Sequence, residues 1–221
     1  MSPLLVVEGL RKAYLDGSIM RRVLDDTSLT LHAGEVIALC GPSGSGKTTL
    51  LNLVAGLLEP DQGRLVLHVE AEQTLLSDLS AAERARIRRR HMGYVFQFFN
   101  LVPTLNVREN VLLPLELNRR SDLTGSALGR LSALGLDAHE RQYPEQLSGG
   151  ERQRTAIARA LAHEPALVLA DEPTGNLDAE NAHRVVELLW REVRALNSGL
   201  LIATHDESIA ARADRVIRFE Q

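Results

Sequence analysis

Apolar residues run unbroken over two short stretches, Val36-Ile-Ala-Leu-Cys40 and Ala166-Leu-Val-Leu-Ala170. The first stops at a glycine cluster and the second at an acidic pair, as buried parallel strands do. Val23–His32 alternates in part through Leu24, Leu29 and Leu31, which predicts another strand. Further strands are expected at Leu4–Glu8, Arg64–Glu70, Met92–Phe96, Gly199–Ala203 and Arg215–Phe219. Between them the spacing turns helical, at Thr48–Gly56, Ala81–His91, Val107–Asn118, Ser126–Leu134, Gly150–His163, Ala182–Leu196 and Glu207–Arg212. In Ala182–Leu196 the residues Val185, Val186, Leu189, Val193 and Leu196 recur at helical spacing. Pro114 should kink or shorten the helix that contains it. Strands alternating with helices predict an α/β fold, with a mostly parallel sheet flanked by helices. Residues from about 97 to 154 are helix-rich and strand-poor. They are expected as a helical subdomain inserted into a core of residues 1–96 and 155–221, one domain in all.

Composition narrows the function classes. A chain of 221 residues is long enough to bury a core without disulfides or a structural metal. Its one cysteine, Cys40, excludes an intrachain disulfide and a thiolate metal cage, and favours a reducing compartment. Apolar runs of five residues are far too short to span a membrane. Met1-Ser-Pro-Leu-Leu-Val-Val-Glu8 has no basic segment ahead of its apolar run, so it does not read as a signal peptide. The expectation is a cytoplasmic protein that reaches a membrane only through a partner. A net charge of −4 argues against general nucleic-acid binding. Of 25 basic residues only Lys12 and Lys47 are lysine, which draws attention to where those two sit.

Lys47 sits in Gly41-Pro42-Ser43-Gly44-Ser45-Gly46-Lys47-Thr48, between a predicted strand and a predicted helix. This is the phosphate-loop pattern of the P-loop NTPases, in the context that supports it. Its glycines let successive N–H groups turn inward to phosphate oxygens, and the helix N-terminus adds its dipole. Lys47 supplies a compact charge for the β- and γ-phosphates of ATP, Thr48 a hydroxyl for Mg²⁺, and Thr49 a further donor. Asp171 and Glu172 end the second apolar strand, at the sheet edge where α/β proteins bind ligands. An acidic pair after a strand is by itself an ordinary solvated turn. With the phosphate loop upstream, Asp171 fits a Mg²⁺ partner and Glu172 fits a base that orients or deprotonates the attacking water.

Leu147-Ser148-Gly149-Gly150-Glu151-Arg152-Gln153-Arg154 resembles the signature motif of the ABC ATPases. The order of phosphate loop, Gln97, signature, Asp171-Glu172, Asn176-Leu-Asp178 and His205 is similar to that family over nearly the whole chain. The resemblance implies the ABC ATPase fold, with an antiparallel β portion beside the parallel sheet. It also implies that two copies sandwich ATP head to tail. Ser148, Gly149, Gly150 and Glu151 then act in trans on the partner's nucleotide. Gln97 senses Mg²⁺ and the γ-phosphate, His205 contacts the γ-phosphate, Asp178 couples the two sites, and Tyr14 stacks on adenine. Ser148, Gly149 and Gly150 are expected just before a helix, as a second anion-binding N-terminus.

Gly175-Asn176, together with Gly149-Gly-Glu-Arg-Gln-Arg154, resembles the lipoprotein-release and macrolide-export branch. Cell-division ATPases of the family are similar too, so a mechanical complex that transports nothing stands as the alternative. Phe96 is expected in the core, while Phe98 and Phe99 fall on a loop and read either as packing or, preferably, as a docking site for a membrane subunit. The five arginines of Arg84–His91 are expected on a solvated helix face. His68–Thr74 lacks the Asn-Gly or Asp-Gly turn frequent in relatives.

Overall fold

The computed structural model describes residues 2–17, 19–70 and 72–219. In chain order the elements are β1 (Leu5–Asp16), β2 (Ile19–Leu31), β3 (Val36–Cys40), α1 (Lys47–Val54), β4 (Gln62–Val69), β5 (Glu72–Leu75) and α2 (Ala81–His91). Then follow β6 (Met92–Val95), α3 (Val107–Asn118), α4 (Thr124–Ala133), α5 (Gly149–Leu161), β7 (Leu167–Asp171), α6 (Ala179–Ala195), β8 (Gly199–Thr204), α7 (Glu207–Ala210) and β9 (Arg215–Arg218). The chain forms two compact units, Met1–Arg88 with Gly199–Gln221, and Arg89–Ser198.

The first unit combines two kinds of sheet. β1, β2, β4 and β5 form an antiparallel sheet in the order β2-β1-β4-β5. β3 pairs in parallel with β8 and with β9, through Leu39↔Ala203 and Leu39↔Ile217. Every residue of β3 and β8 is buried, as the apolar runs Val36–Cys40 and Leu200–Ala203 within them require. Leu50, Leu51, Leu53 and Val54 bury the apolar side of α1.

β1 is longer than its apolar pattern. From Arg11 to Leu15 its side chains are exposed or half-buried, yet backbone pairing with β2 continues to Asp16↔Ile19. Ladder hydrogen bonds need no buried side chains, so hydropathy cannot mark where such a hairpin ends. β5 was not expected at all. Val69 pairs with Glu72, and Glu70 takes φ 54°, the left-handed conformation that Asn or Gly usually fills. The expected solvated face of α2 is also corrected. Arg84 is buried, pairs with Glu59 and donates to the Leu79 carbonyl at 2.7 Å. Arg88 Nη1 donates to the Ala55 and Gly56 carbonyls at 3.0 and 3.3 Å, covering the open end of α1. Arg86, Arg89 and Arg90 are exposed.

In the second unit β6 and β7 pair in parallel, through Gly93↔Val168. α3 keeps its full length through Pro114, against expectation. Asn106 and Glu109 form a capping box at its start, and Val107, Val111 and Leu115 are buried along it. Those gains outweigh the one backbone hydrogen bond that proline removes. Phe96 is half-buried and stacks on Tyr94 with ring centroids 4.1 Å apart, so it is not a core residue.

His163 is buried in this unit, with Nε2 donating to the Met92 carbonyl at 3.1 Å. Burial holds its pKa down to about 4, so the folded state keeps the ring neutral where the unfolded chain would protonate it. Stability therefore falls as pH drops from about 6.5 to 4, by at most roughly 3 kcal/mol from this residue. His163→Asn should flatten that acid limb in urea midpoints measured across the window. Parallel wild-type and variant slopes would remove His163 as the cause.

Candidate functional site

The phosphate loop lies in the first unit, between the end of β3 and the start of α1. Two glycines are fixed by close approach. A Cβ on Gly41 would stand 2.5 Å from the Phe219 carbonyl oxygen, and one on Gly46 would stand 2.7 Å from that of Val23. Gly46 also takes φ 102°, a left-handed value. Pro42, Ser43 and Gly44 form an exposed arch, while Ser45, Gly46 and Lys47 are buried beneath it. Lys47 Nζ donates to the carbonyls of Gly41 and Pro42 at 2.7 and 2.8 Å, which holds the ammonium within the loop. Ser45 Oγ is buried with no hydrogen-bond partner among the described residues, an unmet polar group inside the cradle.

α1 has no side-chain cap and no acidic residue in its first turn. By contrast α3, α5 and α6 are capped by Asn106, Ser148 and Asp178. The uncapped first turn of α1 leaves N–H groups and dipole available to an anion. Thr48 is exposed at that turn and Thr49 is half-buried behind it.

Two further sequence-predicted residues belong to this unit. His205 follows β8 and lines a cavity of about 390 Å³ together with Gly41, Pro42, Glu207 and Arg218. His205 and the mouth of the phosphate loop thus share one opening. Cys40 faces the same cavity, and burial pushes its thiol pKa up, so it stays protonated and unreactive. Glu207 holds Arg218 through two hydrogen bonds at 2.6 and 3.1 Å, which lowers the Glu207 pKa. Tyr14 is 39% exposed on β1. Lys12 Nζ lies 5.9 Å from the ring centroid and is itself paired with Asp61 at 2.7 Å. The second lysine therefore anchors the strand that presents Tyr14.

The other candidates lie in the second unit. Asp171 is buried at the end of β7. Glu172 follows at φ 45°, an uncommon conformation for a residue with a long side chain. Strained backbone of this kind concentrates at functional positions. The turn that follows closes with Gly175 N–H donating to the Glu172 carbonyl at 3.1 Å. Asn176 Nδ2 donates to the Gln97 carbonyl at 2.8 Å, and a Cβ on Gly175 would stand 3.3 Å from Gln97 Nε2. The Gly-Asn pair thus fastens the Gln97 loop to the turn after Glu172. Beyond Gln97, Arg159 donates to the Phe99 and Asn100 carbonyls at 2.8 and 2.5 Å, and both residues take positive φ. Phe98 is 68% exposed, whereas Phe99 is half-buried with Arg152 6.0 Å from its ring centroid.

Ser148 caps α5 in a capping box with Glu151, and the Ser148 N–H donates to the Glu151 carboxylate at 2.7 Å, which lowers the Glu151 pKa. Gly149 and Gly150 lie inside the first turn of α5, one residue further into the helix than expected. Asp178 caps α6 by accepting from Asn181 N–H at 2.9 Å, and Asn181 Nδ2 donates to the other carboxylate oxygen at 2.7 Å. A Cβ on Gly150 would stand 3.1 Å from Asn181 Oδ1, so the residue bonded to Asp178 also lies close against the first turn of α5. Sequence reading missed Asn181 and Arg159, because neither falls in a motif.

Comparison with known proteins identifies the family. The ABC transporter family pattern matches residues 24–175. The chain is 47% identical to the lipoprotein-releasing system ATP-binding protein LolD of Bordetella avium, over 94% of this chain and 90% of that protein. It is 42% identical to an uncharacterized ABC transporter ATP-binding protein of Mycobacterium tuberculosis, over 99% and 87%. A dimeric post-hydrolysis ATP-binding cassette, MJ0796 bound to ADP and Pi, superposes with a TM-score of 0.85 at 34% identity, over 98% of this chain and 94% of that one. The chain belongs to the ABC transporter family, as one of its ATP-hydrolysing, ATP-binding subunits.

Proposed function

We propose that this chain powers a membrane complex of the lipoprotein-release or macrolide-export type, hydrolysing ATP as a head-to-tail pair of identical subunits. The observation that carries the nucleotide reading is the prepared anion cradle, with glycines fixed by close approach, Lys47 held inside, Ser45 Oγ unmet and the first turn of α1 uncapped. The resemblance to LolD of Bordetella avium supports the branch.

Each residue has a part in this reading. Backbone N–H groups of Gly41 and of Ser43 to Thr49 bind the phosphates, Lys47 neutralises them, and Tyr14 stacks on the base. The hydroxyl of Thr48, the amide of Gln97 and the carboxylate of Asp171 are oxygen donors that suit a hard cation, so they would hold Mg²⁺. Mg²⁺ when bound supplies charge neutralisation on the phosphate oxygens. Glu172 orients or deprotonates the attacking water, and His205 holds the γ-phosphate. Ser148, Gly149, Gly150 and Glu151 complete the site of the second copy, and Asp178 links the two sites. Residues from about 97 to 154 act as the arm that carries the signature.

The chain sits on the cytoplasmic face of the inner membrane, held by an integral subunit that docks at Phe98 and Phe99. Among the described residues no helix is long and apolar enough to cross a membrane, so attachment through a partner fits. Phe98→Asp should cut co-purification with that subunit at least about tenfold, the scale of losing one exposed aromatic anchor. ATP turnover of the isolated chain should stay within twofold. Unchanged co-purification would move the docking surface elsewhere. A co-purifying subunit with no substrate path would place the chain with the mechanical complexes.

A further inference from the structure

The β1–β2 hairpin sets a second cation beside the nucleotide elements. Tyr14 and Arg21 are direct partners in the antiparallel register, so their side chains share one face of the hairpin. Tyr14 is the proposed stacking platform. From the same face Arg21 extends toward the phosphate loop, and a Cβ on Gly44 would stand 3.8 Å from Arg21 Nη2. Gly44 belongs to the exposed arch of that loop. Arg21 therefore shares the hairpin face of Tyr14 and reaches the arch of the phosphate loop.

Its charge is uncommitted among the described residues. Its neighbour Arg22 pairs with Asp25 at 2.7 Å, and Arg11 takes the other oxygen of Asp25 at 3.4 Å. Lys12, on the tyrosine side, is neutralised by Asp61. Among the described residues no carboxylate lies within ion-pair distance of Arg21, and its side chain is exposed. An unpaired guanidinium held over a phosphate loop is matched to phosphate oxygens, which it can bind through two parallel N–H donors.

We propose that Arg21 is a nucleotide-binding residue, clamping the phosphate chain from outside the arch while Lys47 holds it from within. The proposal rests on the ATP reading above, and goes beyond it by adding a cation outside every motif. Charge and planar fork both matter, so lysine should replace arginine only in part. Because the clamp acts on phosphate, it should not affect a nucleoside.

Arg21→Gln and Arg21→Lys can be compared with wild type by titrating MgATP, MgADP and adenosine into the full-length chain. Lys47→Ala serves as the loop control, and melting without nucleotide checks that each variant folds. Arg21→Gln should weaken ATP and ADP about five- to twentyfold, the scale of one charge-assisted hydrogen-bonding group partly exposed to water. Adenosine binding should stay within twofold, and Arg21→Lys should fall between. ATP and ADP affinities of Arg21→Gln within twofold of a wild type that binds both would overturn the clamp and leave the loop reading intact. A wild type that binds neither would overturn both. Unchanged ADP binding with weakened dimerisation would overturn the clamp by assigning Arg21 to a second copy of the chain.

Discussion

Glu172→Gln should lower steady-state ATP turnover at least about a hundredfold while ATP binding holds or tightens, since a positioned base contributes 10²–10⁴ to rate. Glutamine keeps the shape and the hydrogen-bonding capacity of the side chain but cannot take a proton. It also removes a negative charge from a site meant for a polyanion. The strained backbone at Glu172, φ 45°, supports a residue placed for chemistry. Filter binding of labelled ATP alongside phosphate release separates the two effects. Turnover within twofold of wild type would remove Glu172 from its role.

Mixing Lys47→Ala chains with Ser148→Arg chains should restore activity that neither variant has alone. Lys47→Ala disables its own phosphate loop, and Ser148→Arg disables the signature offered to the partner. In a two-fold pair each variant by itself has no intact site. A mixed pair has one, built from the loop of one chain and the signature of the other. Random pairing makes half the dimers mixed, so recovery reaches up to about a quarter of wild-type turnover if the two sites act independently. Ser148 caps α5, so Ser148→Arg removes a helix cap as well as the contact, and its folding has to be checked. Denaturant midpoints of Ser148→Arg and Lys47→Ala show that each variant is folded before mixing. Absence of recovery from two folded variants would mean that the signature serves its own chain.

The phosphate loop, the acidic pair and the signature were all legible because each is a run of adjacent residues whose chemistry follows from spacing. The buried strands were legible because β3 is apolar throughout and β7 is apolar up to Asp171. What stayed hidden depends on contacts between distant residues. The outer half of β1 is held by backbone pairing, which carries no hydropathy signal. Arg84 and Arg88 sit in a run of arginines that reads as solvated, yet they bond Leu79, Ala55 and Gly56. Arg159 shapes the loop after Gln97 across about 60 residues of sequence, through carbonyl groups that no residue type announces. Gly175 and Asn176 could be recognised as a branch marker, but their grip on Gln97 appears only in the fold. Arg21 is exposed and outside every motif, and only the register with Tyr14 and the approach to Gly44 single it out.

The central claim is that two copies of this chain form the working ATPase. The most direct measurement is the light-scattering mass of Glu172→Gln with MgATP and with MgADP. A mass near twice 24.3 kDa with MgATP and near 24.3 kDa with MgADP is the predicted result. A mass near 24.3 kDa in both, from a chain whose wild type turns over ATP fully as a monomer, would contradict it.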